Sequence, residues 1–430
     1  MEVTRLPAII ITKILAELNW IDKLNTVRAI LPWQIYLETT CSWPALVFKH
    51  IKGSWGLSTQ ENISQMDRFL YCIEKYGNFF KSLTFEIEQS AADWSYWEFQ
   101  LFEAVLSYCT ILRHFKVIQR SSFLWSALLT KTYLEILKKD CLKEAELINP
   151  AVPWSDVECN PLLGIINNKL QLKLTVLKLR SDSLDDYKGQ LKCLVDFKNL
   201  RHLLINRFCI SNDTIMELTS NSLTELRLYQ DVDIPDNHTS RSKEEFWKTI
   251  VKKSPKFRID ILMEYVIILK DHFPLYMPLR KLVLDELQTS ITKGLLDEII
   301  NKYNSTLQSF SCVNSTLSEN ADGRLELALV DMVRRCKHLQ ELEYEFSIAS
   351  STVLLIAKTR KLKKLRFLRV EVYYDFDDKN QLDYPQDLIM WLKENSKNEE
   401  ILEKTISNLY GRKWELENKV GWFCYKKNWF

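Results

Sequence analysis

The sequence predicts an α/β chain: a short all-helical unit at the N-terminus, then strand–helix units repeated so that parallel strands stack into a curved solenoid. Three observations predict it. A six-residue pattern, apolar at its first, fourth and sixth positions, recurs nine times between Phe80 and Phe367. The stretches between copies carry apolar residues at helical spacing. The first forty residues show helical spacing alone. Strand alternating with helix at a short period means parallel strands, each repeat burying its apolar face against its neighbours.

The N-terminal unit runs from Leu6 to Trp33, LPAIIITKILAELNWIDKLNTVRAILPW. Pro7 suits the start of a helix, because the N–H it lacks would be unpaired there anyway. Ile10, Ile14 and Leu18, flanked by Ile9, Ile11 and Leu15, make more than half of the helix circumference apolar. Asn19 closes that helix, Asp22 caps a second carrying Leu24, Val27 and Ile30, and Pro32 allows a short third bearing Trp33, Ile35, Tyr36 and Leu37. Below roughly 40 residues a fold usually needs a metal, a disulfide or a partner chain. The expectation is a partner.

On these residues the stretch resembles an F-box. Leu6, Pro7, Ile10, Ile14, Leu18, Asp22, Leu24 and Trp33 stand in the family's register without gaps, and Pro44-Ala45-Leu46 is similar to its trailing segment. It departs where Ala8-Ile9 replaces an acidic pair, Ala29-Ile30 replaces Val-Cys, and Pro32 replaces a basic residue. The resemblance implies that Leu6, Pro7, Ile10, Ile14, Leu18, Leu24 and Trp33 bind a Skp-family adaptor, itself held by a cullin scaffold.

With 430 residues, 46% hydrophobic and 12% aromatic, the chain is long enough to bury a large core and to hold more than one unit. The charge of +2, from 58 basic and 56 acidic residues, gives no global field toward nucleic acid or a membrane surface. Neither is an expected partner. Ten cysteines are scattered singly without a C-x-x-C pair, which reads as a reduced cytoplasmic or nuclear protein. Lys13 and Glu17 interrupt the first apolar run, which excludes a secretory signal, and no window offers eighteen uncharged apolar residues.

After a linker around Lys52 to Gly56, Ser58 with Glu61 forms a capping box opening a helix that Gly77 ends. The nine pattern copies begin at Phe80, Leu112, Leu174, Leu200, Leu223, Leu279, Leu307, Leu339 and Leu362. The gap from Leu112 to Leu174 spans two repeats. Phe257 to Leu262 splits the gap after Leu223, with Asp260 at its fourth position. Helices between strands carry Leu184, Tyr187, Leu191, Leu194 and Val195; Phe246, Trp247, Ile250 and Val251, opened by Ser242 with Glu245; Ile291, Leu295, Ile299 and Ile300; and Leu325, Leu329, Met332, Val333 and Cys336.

Spacings of 26 residues (Leu174 to Leu200), 23 (Leu200 to Leu223) and 28 (Leu279 to Leu307) sit near the period of leucine-rich repeats. The chain therefore resembles an F-box (residues 1–50) joined to an irregular leucine-rich-repeat solenoid (51–409) with a parallel sheet on its concave face, ending in an aromatic tail (410–430). The usual asparagine after the strand is mostly missing, Asn206 being the clearest example.

Catalytic signatures are absent: nine glycines, no phosphate-binding loop, no nucleophile elbow and no paired-histidine metal motif. No cofactor, metal or catalytic residue is assigned. The recognition surface of such a solenoid comprises residues between the buried strand positions, among them His114, Lys116, Lys178, His202, Leu204, Glu225, Arg227, Lys281, Ser309 and Ser311. Glu341 should lie against Lys364 and Glu343 against Arg366 as lateral ion pairs. Candidates for contact with a target are Arg227, Glu343, Arg366 and Trp422. Tyr410, Trp414, Trp422, Phe423, Tyr425, Trp429 and Phe430 hold more aromatic area than a solvated tail exposes, so the tail either caps the last repeat or folds back along the strands. The resulting expectation is a substrate-recognition subunit of an SCF-type ubiquitin ligase, and the alternative an interaction scaffold with no ligase role.

Overall fold

The computed structural model describes residues 6–50, 59–87, 94–119, 127–148, 170–180, 190–230, 244–264, 273–285, 291–313, 323–374, 376 and 384–418. Trp422 and the tail beyond it, the linker at 52–56, Ser58, Leu184, Tyr187 and Ser242 lie outside them. The chain is α/β, its described residues forming a parallel set of twelve strands and a further parallel pair, and it divides into two compact units: Met1–Ile210 with Asn221–Leu223, and Ser211–Ser220 with Thr224–Phe430.

The first unit opens with α1 (Ala8–Glu17), α2 (Trp20–Ala29) and a 3₁₀ turn, Leu31–Leu37. Pro7 occupies the N-cap of α1. The cap of α2 is Asn19 rather than Asp22: the Asn19 side chain accepts from the Asp22 backbone N–H at 3.0 Å, placing Asp22 in the first turn, where a carboxylate favours the helix dipole. Strand β1 (Leu46–His50) follows, then α3 (Thr59–Tyr76), β2 (Ser82–Ile87), α4 (Trp94–Tyr108), β3 (His114–Gln119), α5 (Ala127–Leu137), β4 (Glu144–Ile148), β5 (Val176–Arg180) and β6 (His202–Asn206). These six strands pair in parallel in chain order.

Two of them extend the pattern read from sequence. Trp43, Leu46 and Phe48 form an additional copy at β1, and Leu142 with Ala145 forms the one hidden before β5; all five are buried. Gly77 follows α3, but its role is close approach rather than a left-handed cap. A Cβ there would meet Cβ of Tyr108 at 3.0 Å. Of the helix expected around Leu191 and Leu194, the described part is a 3₁₀ segment, Gln190–Asp196.

The second unit contains α6 (Asn212–Asn221), β7 (Glu225–Gln230), α7 (Glu244–Lys253), β8 (Arg258–Glu264), β9 (Leu279–Asp285), α8 (Lys293–Tyr303), β10 (Ser309–Val313), α9 (Gly323–Arg335), β11 (Glu341–Tyr344), β12 (Ile348–Ala349), α10 (Ser350–Thr359), β13 (Lys364–Phe367), β14 (Val372–Tyr373), α11 (Gln386–Asn395) and α12 (Glu399–Tyr410). Strands β7 to β11 and β13 pair in parallel in that order, and β12 pairs with β14 apart from them. Thr292 caps α8, so Ile291 precedes the helix instead of sharing its face.

Every apolar position in the nine recognised copies is at most 5% exposed, so the one–four–six spacing marks the buried side of the strands. At β8 the spacing contracts. Ile259 and Ile261 align with Leu226 and Leu228 and take the buried side, while Asp260 aligns with Arg227 on the other. A shift in register between Ile259 and Asp260 allows this. The reason is electrostatic: a carboxylate among core leucines has no partner, whereas on the polar side it meets arginines.

Candidate functional site

Helix α1 buries one stripe and exposes the next. Ile11 and Leu15 point into the unit, and the adjacent pair Ile10 and Ile14 faces outward with Ile9. In the 3₁₀ turn that packs on α1, Trp33 and Leu37 turn inward and Leu31 and Ile35 outward. Exposure reaches 64% at Ile9, 69% at Leu31 and 65% at Ile35, so these helices present several large apolar side chains to solvent. Among the other expected adaptor contacts, Pro7 is exposed and Leu6 and Leu18 half-buried. Leu24 and Trp33 are buried in the chain's own core, where they support the face rather than form it.

That support is aromatic and continuous with the first strand. Trp20 of α2 meets Phe69 of α3 edge-on at 5.0 Å and approaches Phe48 of β1 at 6.5 Å. The Trp43 indole N–H donates to the Leu37 carbonyl at 2.7 Å, and its ring lies 5.0 Å from Phe80. Lys23 is buried with its ammonium 5.1 Å from the Trp43 ring, and burial lowers its pKa.

On the polar side of the second unit's strands, charges are matched laterally. Asp260 accepts two bonds from Arg280, from Nε at 2.8 Å and NH2 at 2.5 Å, while Arg227 donates to Glu225 at 2.7 Å. Arg280 also reaches Glu225 at 3.1 Å, closing a four-member network. The predicted registers Glu341 with Lys364 and Glu343 with Arg366 are present. The pair Glu343 with Arg366 forms at 3.3 Å as expected, whereas Lys364 reaches diagonally to Glu343, which also accepts from Ser311 at 2.9 Å, and Glu341 accepts from Ser309. Burial pushes the Glu343 carboxyl up, but Lys364, Ser311 and Arg366 outweigh it and the net pKa is lowered.

On the first unit's strands a single carboxylate gathers three basic side chains. Glu146 on β4, 5% exposed, lies 2.7 Å from Lys178, 2.9 Å from Lys116 and 3.3 Å from His114. The three basic residues were legible as face residues. Glu146 was not, because its strand carries Ala145 where the pattern requires a larger apolar residue.

The described start of the aromatic tail covers the edge of β13. Trp414 is buried, its indole N–H donates to the Leu365 carbonyl at 2.9 Å, and Glu417 N–H donates to the Phe367 carbonyl at 3.0 Å. Arg366 is shared between Glu343 and Glu417. Arg227, Glu343 and Arg366 thus all sit within matched ladders.

Among the described residues no group of three or more metal-ligating side chains converges, and no helix is long and apolar enough to cross a membrane. No family model matches the chain, and no curated protein matches it significantly.

Proposed function

We propose that the chain is the substrate-recognition subunit of an SCF-type ubiquitin ligase, its N-terminal helices docking a Skp-family adaptor that a cullin scaffold holds, and its strand–helix units binding a target protein. The observation that carries the reading is the outward set Ile9, Ile10, Ile14, Leu31 and Ile35, which includes two positions of the F-box-like pattern. Fully burying an exposed side chain of this kind gains about 1.5 to 3 kcal/mol, and Ile9, Leu31 and Ile35 have most of that still to gain against a partner helix. Delivery of the target then acts through effective concentration: target lysines are held near the conjugating enzyme, and this role requires no bond to be made by the chain itself.

A second reading is a scaffold with no ligase role, and the contact of Trp20 with Phe69 and Phe48 favours it, since those helices already have a binding partner in the chain's own first strand and helix. Co-purification of the full chain with a Skp-family adaptor separates the two. A stoichiometric complex supports the ligase reading, and absence of the adaptor at micromolar concentrations of both proteins removes it.

A further inference from the structure

The strands of the first unit bring together three side chains that no sequence motif connects. Ser82 on β2 and His114 on β3 are register partners, and Ser82 Oγ lies 2.8 Å from His114 Nδ1. The other ring nitrogen, Nε2, lies 3.3 Å from Oε1 of Glu146 on β4. Hydroxyl, imidazole and carboxylate in contact in that order are the arrangement that activates a serine. We propose that Ser82 is a nucleophilic serine, with His114 as its general base and Glu146 as the group that orients the ring, acting on small esters or thioesters.

The roles follow from the donors available. With its hydrogen on Nε2 the ring turns that N–H toward Glu146 at 3.3 Å, in charge contact without an aligned hydrogen bond, and leaves Nδ1 free to accept from the Ser82 hydroxyl at 2.8 Å. The ring serves in the reverse sense from the usual serine hydrolase, where Nε2 faces the serine. Glu146 suits an orienting role because it is fixed and ionised: burial alone raises its carboxyl, but His114, Lys178 and Lys116 together hold it at about 2. Access is open on the serine side. Ser82 is half-buried, and a quarter of the His114 side chain, 25%, is in contact with solvent.

The chemistry balances with water as its only co-reactant. Ser82 Oγ attacks the acyl carbon and forms an ester to the chain as the bond to the leaving alcohol or thiol breaks. The serine proton passes to His114 Nδ1 and then to the leaving group. Water, deprotonated by the same nitrogen, cleaves the acyl-serine and restores the hydroxyl. Nothing is oxidised or reduced.

The test is covalent labelling of the full chain by a fluorophosphonate probe, with adducts mapped by mass spectrometry. Ser82 is expected to react at least about tenfold faster than an exposed serine such as Ser220, a modest share of what general-base assistance supplies. Ser82→Ala should remove the adduct. His114→Gln offers the serine a hydrogen-bonding group but no base, so it should slow labelling about tenfold while leaving the thermal melt in place. Labelling of Ser82 no faster than Ser220, or unchanged by His114→Gln, would show a hydrogen-bonded ladder between strands and overturn the proposal. The measurement uses the chain alone, so its outcome is independent of adaptor binding.

Discussion

On the N-terminal helices Ile9, Leu31 and Ile35 stand in water, while on the strands of the second unit Asp260, Glu264 and Asp285 are each at most 2% exposed. The usual assignment of apolar residues to the interior and charges to the surface is reversed at both places. Asp260 persists because Arg280 on the adjacent strand neutralises it, and Glu264 accepts from the Tyr229 hydroxyl at 2.5 Å. Exposed isoleucines have no such compensation in the chain, so docking is where free energy is still to be gained. A matched ladder, by contrast, loses its own partners when a target displaces them. On the proposed reading, the helical face is where adaptor binding gains most from burial.

The largest change expected in testing this contrast is at the buried side of the strands. Leu203→Asp and Leu226→Asp each place an unpaired charge where the leucine is at most 1% exposed, and should unfold the surrounding repeats or leave the protein insoluble. Soluble protein with an unchanged melt from both variants would mean that strand faces are assigned the wrong way round.

Next is acid stability in the first unit. The Glu146 carboxyl drops from 4.5 to about 2 on folding, so its contribution, on the order of 3 kcal/mol, is complete above pH 4.5 and is lost as pH falls toward 2. Glu146→Gln should destabilise the unit at neutral pH and flatten its stability between those values. An acid profile that the substitution leaves unaltered would show that the three basic neighbours do not hold this carboxylate.

A smaller effect is expected on the helical face. Ile10→Ala with Ile14→Ala should weaken adaptor binding at least about tenfold while shifting the melt little, since both side chains are more than a third exposed. Undiminished adaptor retention in a pull-down would remove the F-box reading, and a large loss of stability would show the face already covered. The smallest is Trp414→Phe, which deletes one indole N–H from the Leu365 carbonyl and should cost about 1 kcal/mol in a denaturant titration. A cost near zero would mean that this segment does not cap the β13 edge.

How much of this was legible in the sequence depended on whether a single residue type announced its side. Leucines did: Leu177, Leu203 and Leu226 repeat because each buried slot takes a branched apolar chain of similar volume. Trp43 at the first position of its copy and Ala145 at the fourth of another depart widely from leucine in volume, so those copies were hidden, and at Asp260 the spacing contracts. The interval of 23 between Leu339 and Leu362 was enough to predict that Glu341 faces Lys364. It was not enough to predict the ion pair, because lysine is long enough to reach Glu343 on the diagonal. Ser82, His114 and Glu146 come from three strands, and their meeting depends on β4, the strand without a clear pattern.

In each unit every strand of the main parallel set pairs with the strand before it in that set, as Leu46 with Leu83 and Leu177 with Leu203 do. Loop closure therefore never spans more than a few tens of residues, and its entropic cost is met one step at a time. Within the first unit Trp20, Phe48 and Phe69 contact one another, so its helices and first strand already share an apolar cluster. Such sequential pairing lets each strand be covered by the next one along the chain, which limits how much apolar strand edge must wait for a distant partner.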